Sequence, residues 1–422
     1  MKCKIEKARL SGNIVCPPNK SYTHRAIFLA TLANGKSQIR NVLLSRDTIA
    51  TINACKNFGA NIQADGSNVT VESSGEIKLQ TPEIDASNSG TTIRIAAAIS
   101  SLSENKTRLT GDSSLQKRPM QLLLDALQDL GASCTSTDGK PPITVKGKIR
   151  GGEVKISGSV SSQFISALMI AAPKAEKGII LNIEGELVSK PYLEATISSM
   201  KKFGAHVEVN NTYKKYTIPR QEYRSTDFTV PSDFSSMALL LSAAVLLGDD
   251  LTISASVGDL PQGDKDMITH LGKLGVKVDF QKDIARVKSP QLLDGGRFDL
   301  SNTPDLLPAM SILALKTSKP IEIYNVKHAR FKETDRIAIL AKELAKLGVQ
   351  VQEREDGLML EAPKNPHGAD LDSSDDHRLF MAFCIAGMFV GNCTVSDPES
   401  VDVSYPSFID DMNKVGAKIH PS

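Results

Sequence analysis

The chain has 422 residues, of which 41% are hydrophobic and 23% are charged, and this length allows two or more hydrophobic cores. Its 50 lysines and arginines balance 48 aspartates and glutamates, so the net charge of +2 creates no overall field that would favour nucleic acid or an acidic membrane. The longest apolar run, 237–248, is too short to cross a bilayer, and the first ten residues contain no hydrophobic signal segment.

The cysteines and histidines show no spacing that is typical of metal ligands. Free cysteine is among the most frequently buried residues, so we expect reduced, packed thiols in a cytoplasmic protein without a built-in metal. The six cysteines are Cys3, Cys16, Cys55, Cys134, Cys384 and Cys393.

A short phrase that ends a helix and begins a strand recurs six times along the chain. At 201–210 it reads KKFGAHVEVN, in which a glycine is followed by alternating apolar and polar positions. Glycine accepts the left-handed conformation that closes many helices. The separations between successive copies are 72, 73, 71, 73 and 68 residues, and this constant period predicts six copies of one structural unit. The six glycines are Gly59, Gly131, Gly204, Gly275, Gly348 and Gly416.

Each unit contains two helices of different character. The first is apolar on nearly all sides and opens with small polar residues. The second is amphipathic and ends at the glycine, as at 118–131 and 335–348. A helix that is apolar all round must be enclosed, so the pattern predicts helices inside and sheets outside. In chain order the openings of the apolar helices begin at residues 19, 87, 159, 230, 302 and 373.

Strand-like runs follow both kinds of helix, which completes a βαβαββ-like α/β unit. Six units divide naturally as three plus three, so we expect two similar domains that join near 229–233, where a proline precedes the fourth apolar helix. The first unit starts late, and residues 1–18 are therefore expected to cross over and pair with the last unit. The predicted domains are 19–230, and 1–18 together with 231–422.

The openings of the apolar helices allow two interpretations. Small polar side chains there satisfy free backbone N–H groups as caps. Alternatively, a helix N-terminus binds phosphate or carboxylate, and cations at five equivalent places favour a polyanion site. The candidate caps are Ser21, Asn88, Ser161, Asp233, Asp305 and Asp376. The cations are Lys20, Arg25, Arg94, Arg118 and Arg378.

The densest cluster of charge is HARFKETDRI at 328–337. Such a stretch can be a solvated helix start that forms weak ion pairs. However, Lys332 lies beside Glu333 and four residues before Arg336, a spacing that on a helix places both cations on one face. A lysine next to a carboxylate, with an arginine to grip an anion, suits binding combined with proton transfer.

The whole chain resembles the 5-enolpyruvylshikimate-3-phosphate (EPSP) synthase family. The resemblance rests on PPNKSYTHRA, NSGTTIR, GDSSLQKRPM, SGSVSSQFISALM, LVSKPYLEAT, TPD, RFKETDRI and DDHRLFMA, which occur in this order. It implies an inside-out α/β barrel fold of two domains, each with three units of buried parallel helices and outer sheets, around a central cleft that holds the active site. It also implies a monomer that needs no metal or organic cofactor and binds neither nucleic acid nor membrane.

The family transfers the enolpyruvyl group of phosphoenolpyruvate to the 5-hydroxyl of shikimate 3-phosphate, on the way to aromatic amino acids. Asp305 matches the base for that hydroxyl, while Lys332 and Glu333 match groups that handle protons near the enol carbon. Residues implied for shikimate 3-phosphate are Lys20, Ser21, Arg25, Ser161, Ser162, Gln163, Ser189, Tyr192, Asp305, His328 and Lys332. Residues implied for phosphoenolpyruvate are Lys20, Asn88, Gly90, Thr91, Arg94, Arg118, Gln163, Glu333, Arg336, Asp376, His377 and Arg378.

Two positions depart from the family pattern. His328 stands where many members have asparagine, and Val403 stands where many have a lysine, so one cation is missing from the expected phosphoenolpyruvate site.

Two other functions compete with this one. The sister transferase that acts on UDP-N-acetylglucosamine uses a loop cysteine, which the stretch 111–119 lacks, since Cys134 lies well beyond it. A non-catalytic anion- or nucleic-acid-binding protein is disfavoured by the balanced charge and by the retained Asp305, Lys332 and Glu333.

Overall fold

A computed structural model describes all 422 residues of the chain. They divide into two compact units. The continuous unit is Pro18–Pro231, and the discontinuous unit is Met1–Pro17 together with Ser232–Ser422. Twelve α-helices and 25 strands alternate along the chain, which confirms the predicted α/β class.

The continuous unit contains three repeats of strands and helices. Two strands of the discontinuous unit precede them in the chain, β1 (Lys2–Ile5) and β2 (Leu10–Val15). The first repeat comprises α1 (Lys20–Leu32), β3 (Ala33–Arg40), α2 (Arg46–Asn57), β4 (Asn61–Asp65) and β5 (Asn68–Ser74). The second comprises β6 (Glu83–Asp85), α3 (Gly90–Ser100), β7 (Thr107–Thr110), α4 (Gln121–Asp129), β8 (Ser133–Thr137) and β9 (Lys140–Lys146). The third comprises β10 (Gly152–Ser157), α5 (Ser162–Ala171), β11 (Ile179–Glu184), α6 (Lys190–Lys202), β12 (Glu208–Val209) and β13 (Lys215–Ile218), followed by β14 (Tyr223–Arg224) and β15 (Asp227–Thr229).

The discontinuous unit contains three further repeats. The fourth comprises α7 (Phe234–Leu247), β16 (Gly248–Ser254), α8 (Asp266–Lys273), β17 (Lys277–Gln281) and β18 (Ile284–Lys288). The fifth comprises β19 (Gly296–Asp299), α9 (Leu307–Ile312), β20 (Ile321–Tyr324), α10 (Arg336–Lys346), β21 (Gln350–Arg354) and β22 (Gly357–Glu361). The sixth comprises β23 (Asp370–Leu371), α11 (His377–Val390), β24 (Cys393–Ser396), α12 (Phe408–Lys414) and β25 (Ile419–Pro421).

The six sheets share one strand order. In the second repeat this order is β6-β7-β9-β8, in which the first two strands are parallel and the others antiparallel. Three repeats complete their sheets with distant strands. In the first repeat, β14 and β15 run parallel to β3, and in the fourth, β2 runs parallel to β16. In the sixth, β1 lies between β24 and β25.

The N-terminal strands thus join two different repeats. β1 pairs within the sixth repeat, whereas β2 pairs within the fourth, so the expectation that residues 1–18 pair with the last repeat alone was wrong for β2. The reason is that the fourth repeat has no strand of its own before α7, and β2 fills this position in its sheet.

The two predicted kinds of helix are present. Helices α1, α3, α5, α7, α9 and α11 are buried on nearly all sides, while the helices between them bury one face. All six recurring glycines have positive φ, from 82° at Gly204 to 107° at Gly131, which confirms the predicted left-handed helix endings.

The cysteines also lie as expected. All six are buried thiols without a disulfide. None of the helices combines the length and the apolar character that crossing a membrane requires.

Candidate active site

Three of the predicted helix caps are present. The side chains of Ser161, Asp233 and Asp376 accept hydrogen bonds from backbone N–H groups in the first turns of α5, α7 and α11. These bonds satisfy donors that a helix N-terminus leaves without a partner.

Two other caps lie one or two positions away from the predicted ones. Asn19, rather than Ser21, accepts the hydrogen bond at α1, from the N–H of Tyr22. Ser89, rather than Asn88, caps α3. Asn88 is therefore not needed as a cap, and its side chain instead accepts a hydrogen bond from Arg118 and donates one to Asp112.

Lys20 begins α1 with an acidic partner. Its Nζ lies 3.1 Å from Oδ2 of Asp47, which stands in the first turn of α2. Both side chains are largely buried, at 15% and 6% exposure, so the ion pair is shielded from water. Asp47 could not be singled out from the sequence, since an acid in a first helical turn is common.

Arg25 is a buried cation whose hydrogen-bond partners are all neutral. Its guanidinium donates to Oγ1 of Thr196 at 2.9 Å and to the backbone oxygens of Ser21 and Tyr192 at 2.9 and 3.1 Å. Burial lowers the pKa of Arg25 to about 10. A buried positive charge that meets only dipoles is well suited to an anionic ligand.

A second cationic cluster surrounds the N-terminus of α3. Nη2 of Arg118 donates to Oδ1 of Asn88 at 2.9 Å, and Arg94 donates to Oε1 of Gln163. A methyl group at Gly90 would lie 3.1 Å from Nη1 of Arg118 and 3.2 Å from Nη1 of Arg94. Gly90 is helical and has no positive φ, so the surrounding guanidinium groups, and not the backbone angles, require glycine.

The remaining predicted residues of the continuous unit flank these cations on three helices. Ser162 is the buried first residue of α5, and Thr91 is the half-buried second residue of α3. Ser189 precedes α6 with a left-handed φ of 57° and is buried. Tyr192, in the first turn of α6, accepts the hydrogen bond from Arg25 through its backbone oxygen.

Arg336 organises the corresponding cluster in the discontinuous unit. Its Nε donates to Oδ2 of Asp376 at 2.8 Å, Nη1 to Oδ1 of Asp305 at 2.9 Å and Nη2 to Oε2 of Glu333 at 2.7 Å. Only 1% of its side chain is exposed. Burial alone would lower the pKa of Arg336, but the three carboxylates outweigh it and raise the pKa.

Asp305 is a point where three cations meet. Besides Arg336, Nζ of Lys332 lies 3.4 Å from Oδ1, and Nη2 of Arg378 lies 3.4 Å from Oδ2. Asp305 does not cap a helix, because it lies in a 3₁₀ turn and α9 begins only at Leu307. The capping interpretation of Asp305 was therefore wrong, and its carboxylate serves the cations instead.

The expected helical placement of Lys332 was also wrong. Lys332 follows a 3₁₀ helix at Lys327–Phe331, and α10 begins only at Arg336. The two cations share no helix face, yet both contact Oδ1 of Asp305. The predicted proximity thus arises from a turn, whose backbone the sequence pattern did not reveal.

His377 and Val403 are both 1% exposed. His377 begins α11 next to Arg378. Val403 ends a 3₁₀ helix at Pro398–Val403. A lysine at position 403 would have to bury its ammonium group in this environment.

Asp264 is an acid of this cluster that the sequence did not reveal. It is 5% exposed and accepts a hydrogen bond from Oγ of Ser235 in the first turn of α7. Burial, and then the negative charge of Asp305, raise the pKa of Asp264 to about 7. A single aspartate in a loop before a helix carries no signal of such burial.

His328 is buried and Nε2 has no hydrogen-bond partner. Burial, and then the charge of Lys332, lower the pKa of His328 from 6.5 to about 4. The folded protein therefore keeps this histidine neutral at a pH where the unfolded chain binds a proton.

We expect His328→Asn to lose less unfolding free energy than the parent protein as the pH falls. As the pH falls from about 6.5 to 4, protonation of the unfolded chain should cost the parent up to about 3 kcal/mol of unfolding free energy through His328, and the variant should lose less. Urea unfolding at several pH values measures this difference. The exposed His206, changed to asparagine, is the matched control. Parallel pH curves for the parent and His328→Asn would contradict the assignment.

Comparisons with known proteins cover the whole chain. Residues 5–412 match the family model of EPSP synthase (3-phosphoshikimate 1-carboxyvinyltransferase). A 3-phosphoshikimate 1-carboxyvinyltransferase of Nitrosopumilus maritimus is 62% identical over 421 residues, which is 100% of both chains. One of Methanocella arvoryzae is 43% identical over 99% of this chain and 100% of the relative. The solved EPSP synthase of Acinetobacter baumannii superposes with a TM-score of 0.82 at 26% identity over 99% of each chain.

Proposed function

The chain belongs to the EPSP synthase (3-phosphoshikimate 1-carboxyvinyltransferase) family, and from this premise we propose how its residues perform the reaction. The enzyme transfers the enolpyruvyl group of phosphoenolpyruvate to shikimate 3-phosphate in the shikimate pathway. In the proposed mechanism the 5-hydroxyl of shikimate 3-phosphate adds to phosphoenolpyruvate, and elimination of phosphate from a tetrahedral intermediate completes the transfer. In this proposal the two units are the two domains.

Shikimate 3-phosphate binds to the continuous unit. The observation that supports this is Arg25, a buried guanidinium without an acidic partner, on the same helix as Lys20. A phosphate would supply the missing negative charge in a water-poor site, where charge-assisted hydrogen bonds are strong. The polar residues of this unit that complete the pocket are Ser21, Ser161, Ser162, Gln163, Ser189 and Tyr192.

Phosphoenolpyruvate binds to the cations around α3 and α10. Gly90 leaves room for an anion to approach the free N–H groups of α3 between Arg94 and Arg118. Arg336 and Arg378 supply two more guanidinium groups, which match carboxylate and phosphate geometry. The polar residues in the same set are Lys20, Asn88, Thr91, Gln163, Glu333, Asp376 and His377.

The proposed mechanism rests on one observation, namely that three cations contact Asp305. A bound anion competes with the Asp305 carboxylate for Arg336 and Arg378, which it contacts at 2.9 and 3.4 Å. Once these contacts weaken, Asp305 has a lone pair available for the hydroxyl proton of the acceptor. Lys332 and Glu333 then exchange protons with the enol carbon, since two transfers require two groups of different acidity.

The proposal also includes the fold of each unit, the cellular compartment and the oligomeric state. Each unit forms an inside-out α/β barrel with its three buried helices parallel, supported by one strand order in all six sheets. The enzyme acts as a monomer in the cytoplasm, and its six thiols without a disulfide support the cytoplasmic part of this proposal.

A phosphate-release assay with alternative acceptors tests the proposed function. Phosphate should appear from phosphoenolpyruvate only when shikimate 3-phosphate is present, together with an enol ether product. Release with UDP-N-acetylglucosamine instead would identify the sister transferase. The absence of release with either acceptor, from folded protein, would support a binding protein without catalytic activity.

Gly90→Ala should raise the KM for phosphoenolpyruvate about tenfold and leave the KM for shikimate 3-phosphate nearly unchanged. The added methyl must displace Arg94 and Arg118, and the loss of charged hydrogen bonds costs about 1–2 kcal/mol. Steady-state kinetics with each substrate varied in turn measures both constants.

Gly272→Ala is the matched control. Gly272 lies in helix α8, and a methyl group there would meet no atom within 4 Å. It should leave both KM values unchanged. If Gly90→Ala raises both constants equally, or lowers only the melting temperature, the proposed phosphoenolpyruvate pocket is misplaced.

A further inference from the structure

A continuous chain of buried side-chain hydrogen bonds connects the first three helices of the continuous unit. Nδ1 of His24 on α1 lies 2.7 Å from Oγ1 of Thr51 on α2, which lies 2.7 Å from Oγ1 of Thr92 on α3. The Thr92 hydroxyl donates at 2.7 Å to Oγ of Ser89, the residue that caps α3. All four side chains are fully buried, so water does not compete for these bonds.

The hydrogen bonds in this series all donate in one direction, from His24 towards Ser89. Each hydroxyl has a single proton. That of Thr92 points to Oγ of Ser89 at 2.7 Å, with the backbone oxygen of Asp47 at 3.4 Å as a second acceptor, and therefore not to Thr51. Thr51 must therefore donate to Thr92, and Thr51 must accept from His24. His24 is then the neutral tautomer with its proton on Nδ1. Its Nε2 is left as a buried acceptor without a partner, which is less costly than a buried N–H without one.

The surroundings of His24 preserve this neutral form. Burial, and then the charges of Lys20 and Arg25, hold the pKa of His24 well below its ordinary value. A protonated ring would still donate through Nδ1, but it would add a second buried N–H and a positive charge beside two cations. The histidine is therefore a fixed donor and not a proton carrier.

The series of hydrogen bonds ends at Ser89, beside the second cationic cluster at the N-terminus of α3. Ser89 accepts the backbone N–H of Thr92 at 3.1 Å, so its position fixes the first turn of α3. The next residue is Gly90, whose added methyl would meet both Arg118 and Arg94. A shift of this turn by a few tenths of an ångström would change the space in which an anion meets the helix N-terminus.

We propose that His24 is a positioning residue for phosphoenolpyruvate, which acts through the hydroxyls of Thr51 and Thr92 on the N-terminus of α3. It contacts neither substrate. It locks α3 to α1 and α2, and thereby holds the free N–H groups of α3, together with Arg94 of the same helix, at a fixed distance from the guanidinium group of Arg118. This inference rests on the proposed binding of phosphoenolpyruvate at Gly90.

Two substitutions of Thr51 separate the hydroxyl from the methyl group. Thr51→Val keeps the shape of the side chain and removes the hydroxyl, which leaves His24 Nδ1–H without an acceptor. Thr51→Ser keeps the hydroxyl and removes the methyl. We expect Thr51→Val to raise the KM for phosphoenolpyruvate about tenfold, the cost of a broken buried hydrogen bond, and Thr51→Ser to stay within about twofold of the parent. The KM for shikimate 3-phosphate should change less than that for phosphoenolpyruvate in both variants.

A second pair tests the other end of the chain. His24→Asn retains an N–H donor near the position of Nδ1, while His24→Leu has none. The asparagine variant should keep the parent KM for phosphoenolpyruvate, and the leucine variant should behave like Thr51→Val. If Thr51→Val does not fold, the difference between the two His24 variants still tests whether the hydrogen bond from His24 affects the KM for phosphoenolpyruvate.

Four outcomes would count against the proposal. If Thr51→Ser is impaired and Thr51→Val is not, packing matters and the hydrogen-bond chain does not, which overturns the proposal. Equal KM values for His24→Asn and His24→Leu overturn it as well. If Gly90→Ala raises the KM for phosphoenolpyruvate and Thr51→Val does not, binding at Gly90 is supported and only the positioning role of His24 is wrong. If Gly90→Ala has no effect, the pocket itself is misplaced.

Discussion

Asp305→Asn is expected to lower kcat by about 10²–10⁴-fold, the usual effect of losing a general base. The amide keeps an oxygen that can accept the hydrogen bond from Arg336, so the shape of the site is retained. It cannot take up a proton. It also no longer competes as a carboxylate for Arg336 and Arg378, so the dissociation constant of phosphoenolpyruvate should stay equal or fall. Stopped-flow or steady-state kinetics, combined with equilibrium binding, measures the two effects separately.

Asp335→Asn is the matched control for this variant. Asp335 caps α10 one residue before Arg336, and its side chain is 38% exposed. Asparagine is also a good cap, so kcat should remain close to that of the parent. A kcat for Asp305→Asn that equals that of Asp335→Asn would make Asp305 only a partner of the arginines.

Arg336→Met is expected to lower the unfolding free energy by about 3–5 kcal/mol. Three carboxylates, those of Asp305, Glu333 and Asp376, would lose their shared partner, and Asp376 is fully buried. Methionine fills much of the space but satisfies no charge. Urea unfolding of the complete chain measures the change, and activity should be lost as well because a phosphoenolpyruvate ligand is removed.

Arg330→Met provides the comparison for this effect. Arg330 also pairs with two acids, Asp335 and Glu353, but these side chains are 38% and 42% exposed. Partly exposed ion pairs contribute about 0–1 kcal/mol. Equal losses of stability in both variants would show that burial of the Arg336 cluster has no special effect.

The repeat was predictable because its signals are local. A glycine that closes a helix needs positive φ whatever surrounds it, and all six glycines adopt it. The amphipathic helices could likewise be identified from their own periodicity, without knowledge of their neighbours.

The caps at α1 and α3 were misplaced because several polar residues stand side by side there. Asn19 and Ser21 flank Lys20, and Asn88 precedes Ser89, so each of these polar residues is a chemically suitable cap. Which of them caps depends on where the backbone turns into the helix, and this point lies at Asn19 for α1 and at Ser89 for α3.

Some residues of the site could not be predicted because their roles depend on burial and on contacts with residues that are distant in the sequence. Asp47 and Asp264 gain their importance from Lys20 and Asp305, which lie 27 and 41 residues away in the chain. The chain of hydroxyls from His24 to Ser89 is equally hidden, because its members belong to three helices.

The position of β1 has a consequence for the order in which the protein can be completed during its synthesis. β1 leaves the ribosome well before its partners β24 and β25. At about 5–20 residues per second, the nearly 400 residues between them take roughly 20–80 s to produce. During this time β1 remains an unpaired strand, while the continuous unit already has all of its own strands after residue 231. The continuous unit can therefore fold first, and the discontinuous unit can close only after β24 and β25 have been made.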